Sequence, residues 1–392
     1  MDSVDVAVIG GGIVGTATAA FLAEGGLRVR LYERSAIAAG ASGRNSGIVQ
    51  HPFDAVLADL YRRTLAEYRT LAGASDGAFA LGPEPAGLLY VGHDLGLAER
   101  TTREWAEAWP LSLPQVVAGR DLLALEPGLA PDLAACRLDV GYPVAPASAA
   151  EGFAVLARRR GAELAIGEAA RPAIDGARAV GVSLNGRVES AGAVVVAAGP
   201  WTSDLVDPTG AWRPIRPSWG VVASVALDEA PRHGLEAIDI TIEPGHEDEA
   251  GPRVADDAVE FSLVPAVGSS ALGSTFLPVE PDPAAWVDAL RRVGARYVPG
   301  VADAPLVGLR CCARPVSMDG RPLIGPAAWA DGLWIAAGHG PWGISTGPGS
   351  ARLLARAILG VGAAEIPADL DPRRFGSPGS PPSQRQEFGS NR

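Results

Sequence analysis

A glycine turn between a strand and a helix constrains this chain more than any other feature. Val4 to Ile9 is a β-branched apolar run, and it passes directly into Gly10-Gly11-Gly12-Ile13-Val14-Gly15. A helical pattern follows from Ile13 to Ala23, then Gly25-Gly26 and a second strand from Arg28 to Tyr32. This is a βαβ opening with G-x-G-x-x-G spacing. Gly10 permits the tight turn. Gly12 lets the backbone approach a pyrophosphate at the helix N-terminus beside Ile13 and Val14, and Gly15 lets helix and strand pack closely. Glu33 follows the second strand, where a carboxylate can accept hydrogen bonds from a ribose diol. A phosphate on that ribose would meet a like charge, so FAD or NAD is expected rather than NADP, with only the neighbouring Arg34 pulling the other way. The spacing recurs only at Gly338 to Gly343, with no second strand and acidic residue after the helix it opens, so no second complete nucleotide site is read and electrons are expected to come directly from an organic substrate.

The 392 residues exceed what one compact core usually holds, so two interleaved lobes are expected. A composition of 47% hydrophobic and 20% charged residues excludes a disordered chain and permits a large core. Helices are predicted at Asp54 to Leu71, Leu95 to Trp109, Ser148 to Arg160 with Ser148 as its cap, and Ile344 to Leu359. Short strands are predicted at Gly87 to Val91, Glu163 to Ile166 and Val180 to Leu184, and buried parallel strands at Ala193 to Ala197 and Leu333 to Ala337. Trp212 to Leu309 has scattered strands, many prolines and an acidic loop through Glu243 to Asp257. The expected fold class is α/β, in an α+β two-lobed arrangement. A Rossmann-like nucleotide domain (residues 1–82, 143–211 and 310–372) is interleaved with a substrate domain on a mixed β-sheet (83–142 and 212–309), and a disordered tail covers 376–392.

A formal charge of −12 repels phosphate backbones and anionic lipid, and the one basic cluster, Arg158 to Arg160, reads as a solvated helix end, so no nucleic-acid partner is expected. The longest apolar run, Ala191 to Trp201, is too short to span a bilayer, and the N-terminus lacks the pattern of a secretory signal. No integral membrane association and a cytoplasmic location are expected. Three cysteines, two of them adjacent (Cys311 and Cys312), make neither a disulfide framework nor a metal site. All 33 basic residues are arginine, so any mechanism that needs a lysine is excluded.

Four ordered blocks carry a family resemblance: the N-terminal fingerprint with Glu33; Gly40-Ala41-Ser42-Gly43-Arg44-Asn45-Ser46-Gly47 and on to Val49; Val194 to Trp201, with Ala198, Gly199 and Trp201; and Arg314 to Pro326 with Gly338 to Gly349. Together they resemble the D-amino-acid oxidase superfamily, in its glycine oxidase and sarcosine oxidase branch, over nearly the whole chain. The resemblance implies a two-lobed FAD protein that removes hydride from a carbon bearing an amine or hydroxyl. The residues read the same way. Ser42, Arg44, Asn45, Ser46 and Gly47 form a small polar loop able to approach a flavin, with a surface Asx turn as the plainer alternative. Gly338-His339-Gly340-Pro341-Trp342-Gly343 precedes a helix that begins with Ile344 and Ser345, so its positive end can face the flavin N1 and C2 carbonyl.

Arg314 matches the arginine that glycine oxidase-like proteins pair with the substrate carboxylate, and a planar guanidinium suits that bidentate task. A structural ion pair, or Arg310 in its place, are the alternatives. Cys312 has the spacing of the cysteine that links covalently to flavin in sarcosine oxidases, but its neighbours differ, and a small buried cysteine is the commoner fate. Gly47 and Gln50 stand where those enzymes carry arginines, and Trp342 where they carry a lysine. Gln50 and His51 could line the active site, His51 as a proton acceptor, although the resemblance implies that hydride transfer from a neutral amine often needs no dedicated base, and a lone histidine before Pro52 is more often structural. Trp219 and Phe261 could wall it from the second lobe, with core packing the plainer reading. The expectation is an FAD-dependent oxidoreductase that oxidises a small amine or amino acid to an imine, with dioxygen or another carrier as acceptor. A 2-hydroxy acid enzyme and a flavin-binding subunit without catalysis are the alternatives.

Overall fold

The computed structural model describes residues 3–238, 256–361 and 366–379. Most of the acidic stretch Glu243 to Asp257, and the tail from residue 380, lie outside these.

In chain order, β1 (Val4–Ile9), α1 (Ile13–Glu24) and β2 (Val29–Glu33) form the expected βαβ unit. A short helix α2 (Ala41–Arg44), β3 (Ile48–Val49) and the long α3 (Ala55–Ala74) follow, then β4 (Leu88–Gly92), α4 (Leu95–Ala108), β5 (Gln115–Ala118) and α5 (Gly119–Leu125). After β6 (Ala134–Leu138) and β7 (Tyr142–Pro143) come α6 (Ser148–Arg159), β8 (Glu163–Ile166), β9 (Arg171–Asp175), β10 (Arg178–Leu184), β11 (Arg187–Val196) and α7 (Thr202–Val206). The chain then runs through β12 (Ile215–Val225), β13 (Gly234–Ala237), β14 (Val259–Ala266), β15 (Ser269–Thr275), α8 (Val287–Tyr297) and β16 (Leu306–Ser317). It closes with β17 (Leu323–Pro326), β18 (Leu333–Ala337) and α9 (Gly343–Leu359).

The first sheet has the order β17-β18-β11-β1-β2-β8, with β10 and β9 branching from β11. From β18 to β8 every pairing is parallel. A parallel sheet is covered on both faces, so its central strands are apolar throughout. Val6, Val8 and Val195 point into a core shared with α1, α3, α6 and α9, while Ala7, Ile9, Val194 and Val196 point into the core on the opposite face. Helix α1 is buried from Ile13 to Ala23, which explains why it lacks a polar face.

Local chemistry sets the helix ends. Asp54 caps α3, accepting from the Val56 and Leu57 N–H groups at 2.9 and 3.0 Å. Ser148 was expected to cap α6 but is its first helical residue, and its hydroxyl donates to the Ala145 carbonyl at 2.7 Å instead. The basic run after it is not a free patch. Arg159 donates to the Ala74 carbonyl at 2.7 Å, and Arg160 pairs with Glu24 at 3.1 Å. Pro348 lies inside α9 and has no N–H to offer the Ile344 carbonyl four residues earlier. The buried Tyr68 hydroxyl on α3 fills that place, donating to Ile344 O at 2.6 Å.

The second sheet has the order β16-β12-β15-β14-β13-β4-β6-β5 and is mixed, because β13 and β4 pair in parallel and the rest antiparallel. Leu235, Phe261, Leu263 and Leu272 pack from one face into a core with Trp286 and Leu290. The long strand β16 pairs with β12 along its length, from Leu306 opposite Val225 to Ser317 opposite Ile215. The expected domain division at residue 310 therefore falls inside a strand of this second sheet. Among the described residues, no helix is long and apolar enough to cross a membrane.

Tyr68→Phe removes the hydroxyl while keeping the ring, and leaves the Ile344 carbonyl buried without a donor. The expected cost is about 1–3 kcal/mol, read as a lower urea midpoint with an unchanged slope.

Candidate active site

The two sheets face each other across a cavity of about 890 Å³. At one end lies the glycine turn. Gly10 has φ +115°, and a side chain there would collide with the Ala197 carbonyl; one at Gly15 would overlap the carbonyl of Gly10. Both close the packing of α1 on the sheet, and Gly15 does not itself line the cavity. Gly12 is different. A side chain on it would meet only the Ser42 hydroxyl, 3.0 Å away, so the space above the N-terminus of α1 is open. The Ile13 N–H donates to that hydroxyl at 2.9 Å. Glu33 borders the same opening, accepting from the Gly11 N–H at 2.7 Å and the Ser35 N–H at 2.8 Å. A carboxylate so held keeps lone pairs for further donors. The Arg34 guanidinium stacks 4.3 Å from the centre of the Trp201 ring, and both line the cavity with Val14, Ala198 and Gly199.

The loop after β2 closes over this end. Asn45 borders the cavity, and its side chain also holds the loop together. It donates to the Ser42 carbonyl at 2.8 Å and accepts from the Gly47 N–H at 2.8 Å. Gly47 has φ +86°, and a side chain there would press on the Val144 carbonyl. Arg44 donates to the Cys311 carbonyl at 3.2 Å, tying the loop to β16, and Ser46 faces the cavity. From the opposite side the turn Gly340-Pro341-Trp342 leads into α9, and Gly343, Ile344 and Ser345 line the cavity with it. The Ser345 hydroxyl accepts from the Gln50 N–H at 3.0 Å. Gly338 (φ +86°) turns the chain out of β18 and does not line the cavity. Burial pushes the His339 imidazole down to about 3, so it is neutral, 3.1 Å from the Ser350 hydroxyl.

The other end is built on the second sheet. The Arg314 guanidinium donates to the Thr275 carbonyl and the Ser274 hydroxyl, both at 2.7 Å, and lies 4.2 Å from the centre of the Phe276 ring. A side chain at Gly220 would occupy the same space as the guanidinium. Desolvation lowers the Arg314 pKa, yet no carboxylate among the described residues lies within ion-pair distance of it. Arg310 is directed elsewhere, donating to the Ser224 hydroxyl at 2.8 Å, and does not line the cavity. Trp219, Trp342 and Phe261 all border it, and Phe261 is 1% exposed with its ring stacked on Tyr297.

One of the expected residues needs correction. His51 does not line the cavity. It is held among Phe53, Tyr61 and Trp109, with ring centres 5.1 to 5.4 Å away, and burial together with the charge of Arg62 pushes it down to about 4. An aromatic cage around an uncharged imidazole is packing, because it offers the imidazolium no counter-charge. Cys312 lines the cavity but is buried, and burial raises its thiol pKa, which suppresses the thiolate that flavin attachment requires.

Sequence reasoning missed Glu236, Glu260 and Tyr90, which line the same end. Desolvation raises the pKa of Glu236, opposed by hydrogen bonds from Gln50 and Tyr90, and pushes Glu260 up to about 7. The signal was present as single acids inside apolar strands, in Gly234-Leu235-Glu236-Ala237 and Val259-Glu260-Phe261.

The family model described as "DAO: FAD dependent oxidoreductase" matches residues 5–357. Among known proteins, the chain is 30% identical over 369 residues to glycine oxidase of Pseudomonas aeruginosa, covering 91% of this chain and 94% of that one. It is 29% identical over 234 residues to a D-amino acid dehydrogenase of Cereibacter sphaeroides, covering 58% of this chain and 50% of that one. Among solved structures, glycine oxidase from Geobacillus kaustophilus matches with a TM-score of 0.79 at 24% identity, covering 95% of this chain and 98% of that chain. Iminodiacetate oxidase from Chelativorans sp. matches at 0.77 and 21%, covering 94% and 98%. These structural likenesses carry the fold.

Two outcomes follow from the geometry. Gly220→Ala should fold and take up FAD but push the Arg314 guanidinium aside, weakening the binding of acetate, followed as a change in the flavin spectrum, by about tenfold or more, as the loss of a charge-assisted bond implies. Acid precipitation of the purified protein should leave all yellow colour in the supernatant; colour in the pellet would assign a covalent bond to Cys312.

Proposed function

This chain belongs to the DAO family of FAD-dependent oxidoreductases, and we propose that it oxidises a small carboxylate-bearing amine or amino acid to the imine. The observation that carries this is Arg314, a desolvated guanidinium on a cavity wall with no carboxylate from the described residues paired to it. A buried cation without a counter-charge is costly, and a substrate carboxylate supplies one in the bidentate geometry that guanidinium favours. Two of its five donors are used by Thr275 and Ser274, which hold the fork in place and leave others for the substrate.

The chemistry that FAD would supply here is that of a hydride acceptor. Its dinucleotide would be held by Gly10, Gly12, Ile13 and Val14 at the start of α1, Glu33 and Arg34 after β2, Ser42, Arg44, Ser46 and Gly47 in the loop, and Ala198, Gly199 and Trp201 after β11. Gly340, Gly343, Ile344 and Ser345 would face the ring, where the positive end of α9 favours negative charge. Phe276, Trp219 and Trp342 line the cavity and would offer a small substrate apolar walls. Gln50 belongs to the same wall. The acceptor that reoxidises the flavin is dioxygen or another carrier, reached without a lysine.

The test is anaerobic bleaching of the flavin by glycine, sarcosine, D-alanine, L-proline and lactate. At least one amine should bleach it, and Arg314→Ala should lower the rate at limiting substrate about 10²-fold or more, in line with the ~2–5 kcal/mol attached to a buried charge pair, while keeping its yellow colour. Bleaching by lactate alone, or an unchanged Arg314→Ala, would overturn the reading.

A further inference from the structure

We propose that Glu260 receives the amino group of the substrate and accepts its proton before hydride transfer. This rests on the reading of Arg314 as the anchor for the substrate carboxylate.

The placement follows from the strands. On β14, Val259, Phe261 and Leu263 point into the core of the second sheet, leaving Glu260 and Ser262 on the cavity face. Thr275 pairs with Val259 and Gly273 with Ser262, so Glu260 and Phe261 together oppose the single Ser274. This irregularity sets Glu260 beside the serine whose hydroxyl takes the Arg314 hydrogen bond at 2.7 Å. Adjacent strands lie ~5 Å apart. Arg314 and Glu260 each act on the other's charge, yet they do not form an ion pair. Arg314 is held back by Thr275, Ser274 and the Phe276 ring, and among the described residues nothing bonds the Glu260 carboxylate. A fixed cation and a free anion that share a cavity without closing on each other match a zwitterion, whose carboxylate and ammonium are borne on one carbon.

The other titratable and charged groups at this end are Glu236 on β13, Tyr90 on β4, Cys311 and Cys312 on β16, and Glu280 after β15. Desolvation pushes Glu260 up to about 7; Arg314 pulls it down and Glu236 pushes it further up. A carboxylate with that value is a stronger base than an ordinary glutamate and is still ionised in a good fraction of molecules at neutral pH.

The step balances. An N–H bond of the substrate ammonium breaks and its proton forms an O–H bond on Glu260. The nitrogen keeps the electron pair and forms the C=N bond as the α-carbon gives up its hydrogen and two electrons to FAD. An ammonium has no such pair, so the proton has to leave first. Glu260 then returns its proton to solvent between turnovers.

The test uses FAD-loaded wild type, Glu260→Gln and Glu260→Asp, with anaerobic flavin reduction by glycine, D-alanine and L-proline followed across pH. Reduction by the wild type at limiting substrate should fall as pH drops below about 7, because protonated Glu260 accepts nothing. Glu260→Gln should be slower at pH 7 by about 10²-fold or more, the range for loss of a positioned base. Its rate should keep rising with pH toward the substrate's own ammonium pKa. Glu260→Asp should recover part of the loss. Acetate has no ammonium, so its binding, read from the flavin spectrum, should not weaken in Glu260→Gln, since its charge-assisted bond is to Arg314. Wild-type rates and pH dependence in Glu260→Gln would overturn the proposal, as would loss of acetate binding together with turnover, since Glu260 would then be shaping the Arg314 site. A wild-type flavin that none of the amines bleaches would end the parent reading and this one with it, and that failure is seen before any variant is made.

Discussion

A positive charge held out of water without a counter-ion shapes the substrate half of this molecule. The guanidinium of Arg314 can rest on the cavity wall only because the opposing strand carries glycine at position 220 and because β15 offers a carbonyl and a hydroxyl at hydrogen-bond distance. Phe276 supplies an aromatic face beneath it. Each of these neighbours satisfies part of the cation and none neutralises it. What remains is an electrostatic demand, which the proposed substrate carboxylate would meet.

The cofactor half is governed by close approach. Where β1 enters α1, three backbones meet with no room for a side chain at Gly10 or Gly15, and the N-terminus of α1 is left open at Gly12. The N-terminus of α9 reaches the same cavity from the other side, and its position rests on a repair. Pro348 costs the helix one internal hydrogen bond, and the Tyr68 hydroxyl on α3 takes that carbonyl over. Two helix ends thus converge on one space.

Much of the first sheet was legible because its signals are local. Val4 to Ile9, the glycine turn and the buried run ending at Val196 need only periodicity and turn chemistry to be read. The second sheet was harder. Strand β16 spans Leu306–Ser317 with Arg310, Cys312 and Arg314 at alternate positions, so polar residues occupy the places where an apolar stripe would have marked it. Glu236 and Glu260 were passed over for a related reason, since a single acid in a short strand reads as a solvent-facing position until the far side is known to be another lobe. His51 erred in the opposite direction. Beside the flavin loop it looked functional, and an aromatic cage turned it away from the cavity.

By itself, then, the order of residues determined the strand, glycine turn and helix at the N-terminus, because turn chemistry and periodicity are local, and the absence of any lysine, because composition alone decides it, while Arg314 was singled out by family resemblance. Only the folded chain decided which charges look at each other. Arg314 on β16 and Glu260 on β14 are 54 residues apart in sequence, from the difference of their numbers, and lie on strands that are not even neighbours in their sheet. Their mutual field exists because two intervening strands, a glycine and an irregular register carry both side chains to one cavity, and Coulomb interactions depend on distance through space, which sequence separation does not measure.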